Sequence, residues 1–132
     1  MRMIEGFSQA SFMDEAMRKQ YVEAWSRPGA LTGMLNWYRA SPLVVPAPGE
    51  AAPDALILGM PDDAFRVAMP HLVVWGEADE ALRPSCLDGL DRFAGALTVK
   101  RIADAGHWVL HEKPAEVASA IRGFLARRPV PF

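Results

Sequence analysis

Two short apolar runs with a long spacer between them constrain the fold of this chain most. Residues 72–75 and 97–102 are rich in β-branched and aromatic side chains, as buried strands are. The spacer is too long for a hairpin turn, and after Pro84 its apolar residues recur at helical spacing. We therefore predict a right-handed βαβ unit with two parallel strands. The crossover helix is expected to turn inward Leu87, Leu90, Phe93 and Ala94.

One acidic residue and one histidine closely follow these two runs. Asp79 lies four residues after Trp75, and His107 lies five residues after Ile102. Because parallel strands end at the same rim of a sheet, both side chains should reach one cleft. A carboxylate that accepts the Nδ1–H of an imidazole fixes its tautomer and leaves Nε2 free to take a proton. The spacing thus predicts two members of a hydrolytic triad.

Other interpretations of these two loops remain open. Taken singly, Asp79 can cap the helix that follows it, and His107 can be a loop residue without a partner. Glu77 is a rival acid at the first loop, and Asp104 is a rival at the second. We expect Asp79 to be the acid that pairs with the histidine.

The neighbours of the predicted pair also carry information. Gly76 and Gly106 are expected to adopt the unusual dihedral angles that such loops need. Trp108, beside His107, can line a ligand pocket or pack in the core.

Composition and motif content exclude several classes of function. The net charge of the 132 residues is −2, without a polybasic block, so nucleic acid is not an expected partner. No apolar run approaches the roughly 20 residues that span a bilayer, and no membrane association is expected. The lone cysteine, Cys86, and the lack of a hydrophobic signal core predict a cytoplasmic protein. His71 and His111 are expected to be surface or structural residues, and we predict neither a metal nor a cofactor.

The N-terminal part of the chain has a helical pattern. Residues 12–25 and about 28–39 predict two helices joined by a tight turn, an αα-hairpin of the kind used as a lid or cap. Tyr38 lies on the apolar face of the second helix. Its phenol could donate a hydrogen bond to an oxygen that develops negative charge, or its ring could simply pack. The other residues of that face are Leu31, Met34 and Leu35.

A proline-rich stretch separates this part from the rest. Prolines 42, 46, 48 and 53 make residues 42–56 unsuitable for a helix or a central strand. We therefore divide the chain into a helical cap segment with its connector, residues 1–56, and an α/β segment, residues 57–132. A last helix is predicted at residues 114–127, with one apolar face formed by Val117, Ile121, Phe124 and Leu125.

A nucleophile is the missing member of the predicted triad. Residues 6–10 read Gly-Phe-Ser-Gln-Ala, which is the one approximation to a hydrolase elbow in the chain. Five residues precede it, which is too few for a buried strand. We therefore expect neither a nucleophile elbow nor a His-Gly oxyanion loop among these residues.

Three stretches together resemble the C-terminal end of α/β-hydrolases: residues 73–82 (VVWGEADEAL), 105–108 (AGHW) and 112–117 (EKPAEV). Residues 24–39, which end in Asn-Trp-Tyr-Arg, resemble the cap of the epoxide hydrolase branch. The resemblance covers most of the chain. It implies a partial α/β-hydrolase fold, in which a helical cap segment precedes a β-α-β-α unit with two parallel strands.

The same resemblance implies roles for individual residues. Asp79 would be the triad acid, and His107 would be the base that activates water to hydrolyse an ester intermediate. Tyr38 would be one of two cap phenols that polarise the epoxide oxygen, and Trp37 and Trp108 would contact the substrate. The family's nucleophile, an aspartate on an elbow ahead of the cap, has no counterpart in these residues.

Three functions are therefore open. The chain could be the C-terminal half of an epoxide hydrolase-type enzyme, a non-catalytic binding or oligomerising module, or a relative of haloalkane or fluoroacetate dehalogenases. Tyr38 favours the epoxide branch over the dehalogenases. The first strand should have an unpaired edge, so we expect self-association or a complementing N-terminal half, with an epoxide-like small molecule as substrate.

Overall fold

A computed structural model of the chain describes residues 6–7, 12–42, 46–51 and 59–127. The chain divides into two compact units, one formed by Glu15–Phe65 and the other by the residues before and after that segment. Ser8 of the elbow-like sequence and Pro53 of the connector lie outside the described residues. None of the helices in the described ranges is long and apolar enough to cross a membrane.

The Glu15–Phe65 unit contains the predicted αα-hairpin. Helix α1 spans Glu15–Trp25 and helix α2 spans Ala30–Ala40. Between them, Gly29 has a φ of 79°, a left-handed conformation that glycine adopts without steric cost. Helix α1 begins three residues later than predicted. The reason is that Phe12 belongs to the other unit, where its ring stacks on the imidazole of His111 at a centroid distance of 5.1 Å.

The apolar face of α2, on which the Tyr38 ring could have packed, is exposed in the structure. Leu31 is 59% exposed and Tyr38 is 75% exposed, and neither helix of the hairpin has a buried residue. Two helices of 11 residues each provide too little surface to bury an apolar face.

The second unit is built on a pair of parallel strands, as predicted. Strand β1 spans His71–Gly76 and strand β2 spans Leu97–Ile102, with Val73 opposite Val99. In the described part of the chain the sheet has these two strands, so the other edge of β1 has no strand partner there.

The connection between the strands differs from the predicted continuous helix. It consists of two 3₁₀ turns, Pro84–Leu87 and Leu90–Arg92. Asp88 is extended and Gly89 has a φ of 75°, and neither conformation continues a helix. The predicted inward side chains are nonetheless placed as expected in part, because Leu87 and Ala94 are buried.

Two helices follow β2 and complete the unit. Helix α3, Val109–Glu112, is a single turn that the sequence pattern did not indicate, and α4 spans Pro114–Ala126, close to the predicted 114–127. Of the predicted apolar face of α4, only Val117 is buried, while Ile121 and Leu125 are exposed. The small core beneath these helices contains Ile102, Ala105 and Val117, with Val74 and Val109 packed against it.

Gly76 allows the loops after the two strands to touch. A Cβ built on Gly76 would overlap the carbonyl oxygens of Ala105 and Gly106 and would lie 2.8 Å from the carbonyl carbon of Ala105. Ala78 donates its backbone N–H to the same Ala105 oxygen over 3.0 Å. Two loop backbones are therefore packed together at the end of the sheet.

The expectation that Gly76 and Gly106 adopt unusual dihedral angles is wrong. The glycines with positive φ in the described residues are Gly29, Gly49 and Gly89. Gly76 is required because there is no room for a side chain, whereas its backbone conformation is open to other residues.

We predict that Gly76→Ala lowers the free energy of unfolding by about 1–3 kcal/mol, because the added methyl group forces two packed loops apart. Gly123→Ala is the matched control. Gly123 lies within α4, and no atom comes within 4 Å of the position that a Cβ would occupy there, so the same change should be neutral or stabilising by up to about 1 kcal/mol. Urea unfolding followed by tryptophan fluorescence measures both values. Equal stability of the two variants would contradict the close approach.

Candidate active site

The structure brings the predicted acid and base together. Nδ1 of His107 lies 3.0 Å from Oδ2 of Asp79, within hydrogen-bonding distance for an Nδ1–H donor. The Asp79 side chain is 7% exposed, whereas the His107 side chain retains 29% exposure. The parallel pairing of β1 and β2 explains the contact, because it places both following loops at the same end of the sheet.

The second carboxylate oxygen of Asp79 has a local function. Oδ1 accepts the backbone N–H groups of Ala81 and Leu82, each over 2.8 Å. The helix-capping alternative for Asp79 is wrong, because Oδ1 holds a turn and Arg83 is the residue that precedes the next helical element, whereas Oδ2 meets the imidazole as expected. Because the turn holds Oδ1, the carboxylate plane is fixed and Oδ2 is directed at the imidazole.

Backbone contacts hold the loop that carries the imidazole. Gly106 donates its N–H to Oε2 of Glu112 over 2.7 Å. His107 donates its N–H to the carbonyl oxygen of Phe7 over 3.1 Å. Neither contact has a sequence signal of its own: Glu112 stands one helical turn after the loop, and Phe7 acts through its main chain. Together with the Asp79 contact, they hold the backbone and the side chain of this loop.

Two aromatic rings lie close to the His107 imidazole. The ring of Trp108 is perpendicular to it at a centroid distance of 5.1 Å, and the ring of Phe7 meets it at 65° and 6.2 Å. The Trp108 indole Nε1 is buried without a hydrogen-bond partner in the described residues. His111 is partly buried and stacks on Phe12, which fits the expected structural role.

The two rival acids are paired with surface cations. Glu77 accepts a hydrogen bond from Arg101 over 3.1 Å. Asp104 accepts one from Lys113, and this bond holds the pKa of Asp104 below its usual 3.8 and raises the pKa of Lys113 above 10.5. Asp104 and Lys113 therefore stay charged across the neutral range. Of the three acids considered, Asp79 is the one that contacts the histidine.

The remaining predicted residues lie elsewhere. Trp37 and Tyr38 belong to the Glu15–Phe65 unit, where they are 80% and 75% exposed. His71 is exposed at the start of β1. No group of three or more potential metal ligands occurs within the described ranges.

The arrangement has one clear chemical capacity. An imidazole whose Nδ1–H is held by a buried carboxylate presents Nε2 as a proton acceptor, and the carboxylate stabilises the imidazolium that forms. His107 retains enough exposure for a water molecule to reach it. The pair can therefore serve as a general base toward water or toward a hydroxyl group.

Two substitutions at Asp79 separate the functions of its oxygens. Asp79→Ala leaves the N–H groups of Ala81 and Leu82 without their acceptor, so we predict a loss of about 1–3 kcal/mol in unfolding free energy. Asp79→Asn keeps an acceptor for the turn and should cost clearly less. Its amide NH₂ then faces His107 and should favour the opposite tautomer. Urea unfolding and ¹⁵N NMR of the imidazole measure the two effects, and an Asn variant as unstable as the Ala variant would contradict this division.

Comparison with known proteins adds the family. No family model matches the chain. It is 33% identical over 106 residues to the AB hydrolase superfamily protein YfhM of Bacillus subtilis, and 31% identical over 123 residues to epoxide hydrolase srdG of Neurospora crassa. These matches cover 80% and 92% of this chain but 32% and 34% of the relatives, so the chain spans about a third of their length.

Solved structures point to the same family. One, described as belonging to novel epoxide hydrolases of the alpha/beta hydrolase superfamily from hot-environment metagenomes, has a TM-score of 0.69 at 37% identity. An epoxide hydrolase from Bacillus megaterium in complex with an inhibitor has a TM-score of 0.70 at 26% identity. Each match covers 88% of this chain and 39% of the other. By sequence and by fold, then, the chain is related to proteins of the α/β-hydrolase superfamily, epoxide hydrolases among them, over the part of their length that it spans.

Proposed function

We propose that Asp79 and His107 are the acid and the base of an epoxide hydrolase-type site. The observation that carries this proposal is the 3.0 Å contact between Oδ2 of Asp79 and Nδ1 of His107 at the end of two parallel strands. The similarity of the chain to epoxide hydrolases supports epoxide hydrolysis as the reaction in which this pair would act.

The proposed reaction has two steps. A carboxylate nucleophile attacks an epoxide carbon, the C–O bond of the ring breaks, and the released alkoxide takes a proton from a phenol. Nε2 of His107 then removes a proton from water, and the resulting hydroxide attacks the carbonyl carbon of the ester. The ester C–O bond breaks, and the leaving oxygen takes the proton of the His107 imidazolium, so that a diol leaves. The carboxylic acid formed by hydroxide attack gives its proton back to the phenolate, which regenerates the carboxylate, the imidazole and the phenol. Asp79 stabilises the imidazolium during the second step.

In this proposal the nucleophile comes from outside the 132 residues. No aspartate of the chain stands in an elbow sequence, and the relatives are about three times longer than the region they share with this chain. An N-terminal part of the same fold, in one polypeptide or as a separate complementing chain, would supply the elbow and the oxyanion donors.

The cap residues have proposed roles as well. Tyr38 would donate the proton that the alkoxide takes, and Trp37 and Trp108 would contact the substituents of the epoxide. The exposure of Tyr38 and Trp37 leaves both side chains free to meet a substrate.

Hydrolysis of naphthyl glycidyl ether tests the acid–base pair. Hydration of this epoxide yields the naphthyloxy-propanediol that is the product bound to the Bacillus megaterium enzyme. We expect no turnover by the chain alone and turnover when it is joined to the N-terminal part of a related epoxide hydrolase. In that protein, Asp79→Asn should lower kcat by about 10⁴-fold, and His107→Gln should accumulate the covalent ester, which mass spectrometry detects.

His71→Gln is the control for the histidine variant, because His71 is exposed at the start of β1 and should leave the rate unchanged. Normal turnover by His107→Gln would refute the assignment. If the joined protein folds but hydrolyses neither this epoxide nor a covalent ester formed from it, the result would favour the non-catalytic module.

Tyr38→Phe tests the proposed phenol. Removing a hydrogen-bond donor that acts on developing negative charge should lower kcat by about 10²-fold and change KM little. Tyr21→Phe is the control, since Tyr21 packs on Trp25 in α1 with a centroid distance of 5.3 Å. An unchanged kcat in the Tyr38 variant would exclude it as the proton donor.

A further inference from the structure

We propose that Glu112 positions His107, the proposed base. It does so by holding the backbone N–H of Gly106, the residue before the histidine. The carrying observation is the partly buried hydrogen bond from Gly106 N–H to Oε2 of Glu112, at 2.7 Å. The inference rests on the proposed function, because it assigns His107 as the group that is positioned.

The local fold explains why Glu112 reaches this amide. The backbone N–H groups of His111 and Glu112 both donate to the carbonyl oxygen of Trp108, over 2.7 and 2.9 Å. The chain therefore makes a tight helical turn directly after the His107 loop. This turn, α3, brings the Glu112 carboxylate back over the start of the loop that it follows.

Glu112 holds one of two consecutive amides that are fixed from different segments. Gly106 N–H is held by the Glu112 side chain, and His107 N–H is held by the Phe7 carbonyl. The carbonyl oxygens of Ala105 and Gly106 pack directly against Gly76 at the end of β1. The histidine loop is thus attached to the strand whose end leads to Asp79, and its amides keep the loop from rotating away.

Loss of the Glu112 acceptor should misplace the base. Gly106 N–H would lose its acceptor, and this peptide unit could turn to find another one. His107 follows it directly, so its imidazole would lose alignment with Oδ2 of Asp79. A misplacement of about 1 Å in a catalytic group can cost about 10²-fold in rate.

A purely structural role for Glu112 predicts a different result. If Glu112 only stabilised α3 or the fold, its loss would lower the melting temperature. Folded molecules would still contain an intact hydrogen bond between His107 and Asp79. The state of that bond in the folded protein therefore discriminates between the two roles.

The test uses a graded set of variants of the full chain. Glu112→Gln keeps an oxygen acceptor of the same reach, Glu112→Ala removes it, and Glu112→Asp withdraws it by one methylene group. Glu116→Ala is the matched control, because Glu116 is an exposed glutamate in the first turn of α4. The Nδ1–H proton resonance of His107 is observed by NMR in ¹⁵N-histidine-labelled protein. Hydrogen exchange of the Gly106 amide is measured separately.

We expect the Nδ1–H resonance to be intact in the wild type, Glu112→Gln and Glu116→Ala. It should be broadened or shifted in Glu112→Ala and Glu112→Asp, with faster exchange of the Gly106 amide. In the joined protein used for the hydrolysis assay, Glu112→Ala should lower kcat by about 10²-fold with little change in KM, and Glu112→Gln should restore the rate to within a few-fold.

Several results would overturn the proposal. One is an unchanged Nδ1–H resonance in folded Glu112→Ala, and if that variant does not fold, the same result in Glu112→Asp has the same meaning. A Gln variant as defective as the Ala variant would also overturn it, because the acceptor would then not be what matters. Failure of the proposed function looks different: His107→Gln would leave hydrolysis intact while the Glu112 variants still altered the resonance.

Discussion

Backbone contact between the two loops that follow β1 and β2 is the constraint on which the candidate site depends. Gly76 has no room for a side chain because the carbonyl groups of Ala105 and Gly106 lie against it. Ala78 also donates its backbone N–H to the Ala105 oxygen, so the two loops that carry Asp79 and His107 are packed together. The 3.0 Å contact between Asp79 and His107 follows from this packing as much as from the two side chains themselves.

Asp79 shows how one residue can satisfy a structural and a chemical requirement together. Its Oδ1 accepts two N–H groups of the turn after β1, and its Oδ2 faces the imidazole. A buried carboxylate needs several donors to offset its desolvation, and the turn provides two of them without competing for the oxygen that faces the base. The proposed acid is thereby oriented before any substrate is present. Glu112 is proposed to orient the base in a similar way, because its side chain holds the backbone of the loop that carries His107.

The accuracy of the sequence-based predictions varied from element to element for physical reasons. The predicted strands lie within one residue of β1 and match β2, because short runs rich in β-branched and aromatic residues, bounded by loop residues, are local signals. The crossover helix was wrong because Gly89 in a left-handed conformation interrupts a pattern whose apolar spacing looks helical. The start of α1 was wrong because Phe12 stacks on His111, a contact between residues that are distant in sequence.

What the sequence determined by itself is the identity of the chemical groups: an acid and a histidine after two strands, a tyrosine in a helical hairpin, and motifs shared with epoxide hydrolases. Spacing along the chain was enough for this, since parallel strands bring their ends to one rim. Only the tertiary structure decided which of three acids meets the histidine, and that Gly76 serves close packing. It also decided that Phe7 and Glu112 hold the histidine loop. These contacts join residues that tertiary packing brings together. Contacts of this kind produce no regular spacing in the sequence from which they could be predicted.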